Sequence, residues 1–139
     1  MTYILLVEDQ PALRQLVSEI LGFSGYQVMT LPNGREALAL LRSGTYFPNL
    51  ILSDLLMDGG NGDEFLKAVR SEGLWREISF ILMSGKDQIE AFPMEFNHDI
   101  QGYLEKPFGI AEILLVVQKA LSARRQDSDQ DSSSVQRPA

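Results

Sequence analysis

Phe80-Ile81-Leu82-Met83-Ser84 is an apolar run that ends in a hydroxyl, and two other stretches share its form. Tyr3-Ile4-Leu5-Leu6-Val7 runs into Glu8-Asp9, and Leu50-Ile51-Leu52-Ser53 runs into Asp54. Strict alternation would mark a strand with one wet face, whereas an uninterrupted apolar run marks a strand buried on both faces of a parallel sheet. In open parallel sheets, ligands bind in the crevice beyond the carboxyl ends of the strands. If the three strands are neighbours, Glu8, Asp9, Asp54 and Ser84 meet along one edge, and that edge is the expected functional site.

The segments between the runs read as helices and one further strand. Pro11 suits a first helical turn, Leu13, Leu16, Val17, Ile20 and Leu21 recur at helical spacing, and Gly22 to Gly25 ends the pattern. Tyr26 to Thr30 reads as a short strand. Asn33 with Glu36 three residues on resembles a capping box, opening a helix through Arg42 that closes at Ser43-Gly44. Leu55 to Gly62 is a Gly-rich loop, after which Asn61 and Glu64 start a helix bearing Phe65, Ala68 and Val69 that stops at Gly73. Lys86 to Asp99 is expected to hold a short or kinked fourth helix, because Pro93 would break a regular one past its first turn.

Gln101 to Leu104 is a brief fifth strand, and Lys106-Pro107-Phe108 turns the corner into a final apolar helix from Ile110 to Leu121. On that helix Ile110, Ile113, Val117 and Leu121 should cover the sheet, with Leu115 pointing away and Val116 on the flank. Five strands alternating with five helices through right-handed crossovers predict an α/β doubly wound parallel sheet of flavodoxin-like order 2-1-3-4-5. That order puts the ends of strands one and three side by side.

Composition narrows the partners. The chain of 139 residues is read as one domain over residues 1–122, followed from 123 to 139 by a polar, disordered tail. Arg124, Arg125 and Arg137 balance Asp127, Asp129 and Asp131 in that tail, so the whole net charge of -7 sits on the domain. An acidic domain without a basic patch disfavours direct contact with nucleic acid or an anionic membrane, and favours a protein partner or a cation. Cysteine is absent and His98 is the one histidine, so any metal must be held by oxygen. With Met1 leading straight into a strand and no apolar stretch of spanning length, the cytoplasm is expected.

Three carboxylates in one crevice repel one another, and a hard divalent cation would relieve that repulsion. Mg²⁺ suits the place, since it takes one or two carboxylates, keeps waters and leaves room for phosphate oxygens. Lys106 adds a fixed positive charge and Ser84 a hydroxyl donor. A carboxylate nucleophile, a metal, a lysine and a hydroxyl together fit phosphoryl transfer, in which positioning and charge neutralisation do nearly all the catalysis.

Glu8-Asp9 after strand one, Asp54 after strand three, Ser84 after strand four, and Tyr103 with Lys106-Pro107-Phe108 resemble the signature of response-regulator receiver domains of the chemotaxis type in two-component signalling. The resemblance covers residues 1–122. It implies that Asp54 accepts a phosphoryl group from a histidine kinase or phosphotransfer protein. It implies Mg²⁺, with Mn²⁺ an acceptable substitute, held by Asp9, Asp54 and the backbone carbonyl of Leu56, with Glu8 acting through water. Ser84, the Gly85 N–H and Lys106 would be the catalytic groups on the phosphoryl oxygens, and Ser84 with Tyr103 the conformational switch. Leu56 and Lys86 occupy the positions that tune phosphoryl lifetime.

Output would pass to a downstream protein, or to a second copy of the chain, through the face of helix four, strand five and helix five. On that face stand Tyr103, Leu115 and Val116, with Phe92 and Phe96 beside Pro93. The sequence departs from the family's usual pattern at Asp58, where proline is common, and at Gly85, where alanine is. Two other readings stay open. A degenerate receiver would act as a phosphorylation-independent interaction module. A phosphatase of the haloacid dehalogenase type would need a second aspartate two residues past the nucleophile, where Leu56 stands.

Overall fold

The computed structural model describes residues 1–55, 62–85, 87–88 and 99–136, with 124–136 as backbone. Strands β1 (Tyr3–Val7), β2 (Gln27–Leu31), β3 (Leu50–Asp54), β4 (Ser79–Gly85) and β5 (Gly102–Lys106) form one parallel sheet in the order β2-β1-β3-β4-β5. Helices α1 (Pro11–Phe23), α2 (Gly34–Arg42), α3 (Gly62–Ser71) and α4 (Ile110–Gln136) connect or follow them, with a 3-10 turn at Gly73–Trp75. The expected order is therefore the observed one.

The reason the three runs carry no alternation is visible in their packing. Leu5, Val7, Ile51, Phe80 and Leu82 point to one side, into a core shared with Ala37 and Leu41 of α2 and Phe65, Leu66 and Val69 of α3. Ile4, Leu6, Leu50, Leu52, Ile81 and Met83 point to the other, against Val17 and Leu21 of α1 and Ile113, Val117 and Ala120 of α4. Each successive residue meets a different helical layer, so every position must be apolar. At the edge, β2 is half-exposed and mixed in composition.

The local signals at Pro11, Gly25 and Asn33 hold. Pro11 is the first residue of α1, and Gly25 beyond its end has φ +96°, in the left-handed region that glycine enters without penalty. The Asn33 side chain accepts from the Glu36 N–H at 2.9 Å and donates to the Glu36 carboxylate at 3.2 Å, which caps α2. Asn33→Ala should cost about 1 kcal/mol of stability in a denaturant titration.

Two expectations change. β5 runs two residues further than read and so carries Lys106 itself. Ile110 does not cover the sheet but is 60% exposed, because it is the first residue of α4 and lies past the strand ends, lining a groove with Leu13, Leu16 and Ile20 of α1; Ala120 is buried on the stripe instead. The backbone of α4 runs on to Gln136. No glycine or proline interrupts it, and extending a helix already formed costs little per residue. The fourth helix expected in Lys86 to Asp99 falls outside the described residues except for Asp87, Gln88 and Asp99, as do Asn61 and Asp58-Gly59-Gly60.

Candidate functional site

A parallel sheet delivers all its carboxyl ends to one edge, and the register decides which side chains share a level. Val7 of β1 is opposite Ser53 of β3, so Glu8 and Asp54 follow at matching heights. Asp54 is paired with Met83 of β4, and Gly85 with Lys106 of β5. Lys106 reaches across the end of β4 on its four-carbon stem: its Nζ lies 3.0 Å from Asp54 Oδ2 and 3.3 Å from Glu8 Oε2. Glu8 and Asp54 are buried, whereas the lysine side chain keeps 25% of its surface in solvent.

Glu8 is held from its own chain as well. The Gln10 N–H donates to Glu8 Oε1 at 3.4 Å, and the Arg14 guanidinium donates to the Glu8 carbonyl at 2.8 Å. Asp9, half-buried, completes the cluster: carboxylate oxygens of Glu8, Asp9 and Asp54 lie within 4.8 Å of one another. Three acidic groups thus face one lysine, an excess of negative charge that suits a cation bound by oxygen.

The imbalance shows in the titration of the group least able to reach water. Burial, and then the neighbouring charge of Asp54, push the Glu8 carboxyl up to about 7 against the opposing pull of Lys106. For Lys106 burial works to lower the pKa, but the hydrogen bond and charge of Asp54, with Glu8 behind them, outweigh it and raise the value. The folded chain therefore keeps the Glu8 proton well above its ordinary 4.5. That contribution to stability is complete at pH below 4.5 and is lost as the pH rises to about 7. In chelator, Glu8→Gln should remove this part of the decline, and thermal melts across the window should show a flatter profile than wild type. Parallel profiles would contradict the assignment.

Ser84 has a partner of its own. Its hydroxyl, fully buried, donates to Oε1 of Gln88, and the Gly85 N–H donates to the same oxygen at 3.1 Å. Tyr103 is half-buried against the α2 and α3 core, where burial raises its phenol pKa. Leu115 is half-exposed, and Val116 packs over β5, its Cγ1 3.1 Å from where a Cβ on Gly102 would be. Leu56, Lys86, Phe92 and Phe96 lie outside the described residues.

Two residues at the site escaped the sequence reading. Gly62 opens α3 with its N–H on the Leu55 carbonyl at 2.7 Å, and a Cβ there would lie 2.3 Å from the Asp54 carbonyl oxygen. Its place in a Gly-rich stretch hinted at a turn and not at this approach. Gln88 carried no signal at all, since its role depends on where β4 ends.

A family model described as the response regulator receiver domain matches residues 4–118. The chain belongs to the receiver-domain family. This receiver is 32% identical over 124 residues to the KDP operon transcriptional regulatory protein KdpE of Escherichia coli, a match over 87% of this chain and 52% of that protein. It is 31% identical over 121 residues to the sensor histidine kinase TmoS of Ectopseudomonas mendocina, over 87% of this chain and 12% of that one. The receiver thus spans about half of one relative and a small part of the other. Among solved structures, the chemotaxis response regulator CheY4 of Vibrio cholerae superposes with a TM-score of 0.73 at 30% identity, covering 86% of the receiver and 98% of CheY4. Receivers of this family are signalling modules of two-component systems and not metabolic enzymes. Among the described residues no helix is long and apolar enough to cross a membrane.

Proposed function

We propose that this receiver takes a phosphoryl group onto Asp54 from a phosphohistidine of a histidine kinase or phosphotransfer protein, and signals the change to a protein partner. The observation that carries the proposal is the Lys106 ammonium 3.0 Å from a buried Asp54 within a cluster of three carboxylates. In the transfer, an Asp54 carboxylate oxygen forms a bond to phosphorus as the P–N bond of the donor breaks, and the imidazole leaves with the electron pair. Lys106 neutralises charge on the phosphoryl oxygens, and Ser84 with the Gly85 N–H supplies further donors.

The donor set fits Mg²⁺: Asp9 and Asp54 would hold it through hard carboxylate oxygens, with Glu8 acting through a water, while the Leu56 carbonyl expected beside them lies outside the described residues. When bound, the ion would screen the negative charge that otherwise keeps the acceptor carboxylate and the phosphoryl group apart. Glu8→Ala, which removes a group acting through water, should weaken Mg²⁺ binding by about tenfold, and Asp9→Ala should weaken it more, in calorimetric titrations. Equal losses would reassign Glu8 to direct coordination. Output through Tyr103 and the half-exposed Leu115 belongs to the same proposal.

Incubation with acetyl phosphate and Mg²⁺, followed by intact mass, tests the reading. One phosphoryl adduct on the chain supports it. No adduct would leave a receiver acting only by contact, and hydrolysis of many phosphate esters would point to a phosphatase.

A further inference from the structure

Two hydrogen-bond donors at the end of β4 converge on one oxygen, and that oxygen belongs to the protein. The Ser84 hydroxyl and the Gly85 N–H both donate to Gln88 Oε1. Ser84 is fully buried and Gln88 partly so, so this acceptor stands where solvent does not freely replace it. Ser84 follows Met83, the β4 partner of Asp54, so the occupied donors sit next to the strand position that faces the acceptor carboxylate. The pleat nevertheless sends Met83 into the α1 and α4 core, and hence Ser84 toward the other face, which it shares with Tyr103. While Gln88 holds both donors, neither can serve a phosphoryl oxygen on Asp54.

We propose that Gln88 is an internal ligand of the phosphoryl seat: its amide oxygen occupies the Ser84 and Gly85 donors in the resting chain and must be displaced when Asp54 is modified. This rests on the proposed phosphoryl-acceptor function and adds a positioning residue to it. A primary amide oxygen is neutral and a moderate acceptor, so it satisfies buried donors without outcompeting a dianionic phosphoryl group, whose bonds are charge-assisted. Gln88 therefore sets a threshold. It favours the unmodified state, holds the Ser84 hydroxyl on its own amide oxygen, and yields only to an oxygen of higher charge.

The test is calorimetric titration of the full chain with beryllofluoride, a noncovalent stand-in for the phosphoryl group, in saturating Mg²⁺. Gln88→Met keeps the length of the side chain and removes the acceptor, and it should tighten beryllofluoride binding about tenfold, the equivalent of one net hydrogen bond no longer broken. Gln88→Glu supplies a charged acceptor that holds the donors harder and repels the anion, and it should weaken binding by a similar factor. In a Ser84→Ala background the gain from Gln88→Met should shrink, as expected for residues coupled through one contact. Mg²⁺ affinity without beryllofluoride should be the same in Gln88→Met as in wild type, which a general loss of structure would not give. If wild type binds and Gln88→Met binds equally or more weakly, the internal ligand is overturned while the acceptor function stands. If wild type does not bind at all, the acceptor function fails and the internal ligand fails with it.

Discussion

Asp54→Asn should yield no phosphorylated chain with any donor, and intact mass after prolonged incubation with acetyl phosphate and Mg²⁺ is expected to show the unmodified protein alone. The amide keeps the shape of the carboxylate but lacks its negative charge, and its oxygen is a far poorer nucleophile toward phosphorus. The same change removes one of the three carboxylates that face Lys106, so Mg²⁺ affinity falls as well. It also relieves Glu8. The charge of Asp54 is the second cause, after burial, of the elevated Glu8 pKa, so in Asp54→Asn that value should move down toward the ordinary carboxylate range. Carbon-detected NMR titration of the Glu8 carboxyl reads this directly. An adduct that persists in Asp54→Asn would place the acceptor elsewhere, and an unmoved Glu8 would mean that burial alone sets its titration.

Gly62→Ala should lower stability by about 3 kcal/mol, at the upper end of what overpacking a tight contact costs, and the melting temperature by roughly 10 °C. The added methyl would lie 2.3 Å from the Asp54 carbonyl oxygen and 2.9 Å from Leu55 Cα, both backbone atoms that no rotamer change can move aside. Either α3 backs away from the sheet, loosening Phe65 and Leu66 from the core, or the end of β3 shifts and takes the acceptor with it. Gly73→Ala is the control, since a Cβ there meets nothing within 4 Å. Thermal melts of the two variants decide the matter: equal small losses would show that the approach of α3 to Asp54 is easily relaxed.

Much of this architecture is written in the chain because its physics is local or periodic. A strand covered on both faces needs an unbroken apolar run, and β1, β3 and β4 have one. Pro11, Asn33 with Glu36, and Gly25 act within a turn of themselves, so their effects can be read from neighbours in sequence. The acidic edge was legible for a topological reason: once the runs are parallel strands in one sheet, their polar followers cannot avoid one another. Glu8, Asp9, Asp54 and Lys106 were found that way, and the structure brings all four to one place.

What the sequence could not decide are distances between residues far apart along it. Full burial of Glu8, with its proton held to about 7, depends on which strands flank β1 and how deeply Asp54 sits beside it. Ile110 fits the helical stripe by angle and is still exposed, because the stripe says nothing about where a helix begins relative to the sheet below. Gly62 looks like any loop glycine until α3 presses it to the carbonyl of Asp54. Gln88 looks like any surface glutamine until the end of β4 aims two donors at it. Periodicity and composition fix which face of an element is apolar, and so they determine the fold and the edge where the chemistry gathers. Register, approach and the occupant of each donor are set only when the layers close on one another, and those decide how the site is held at rest.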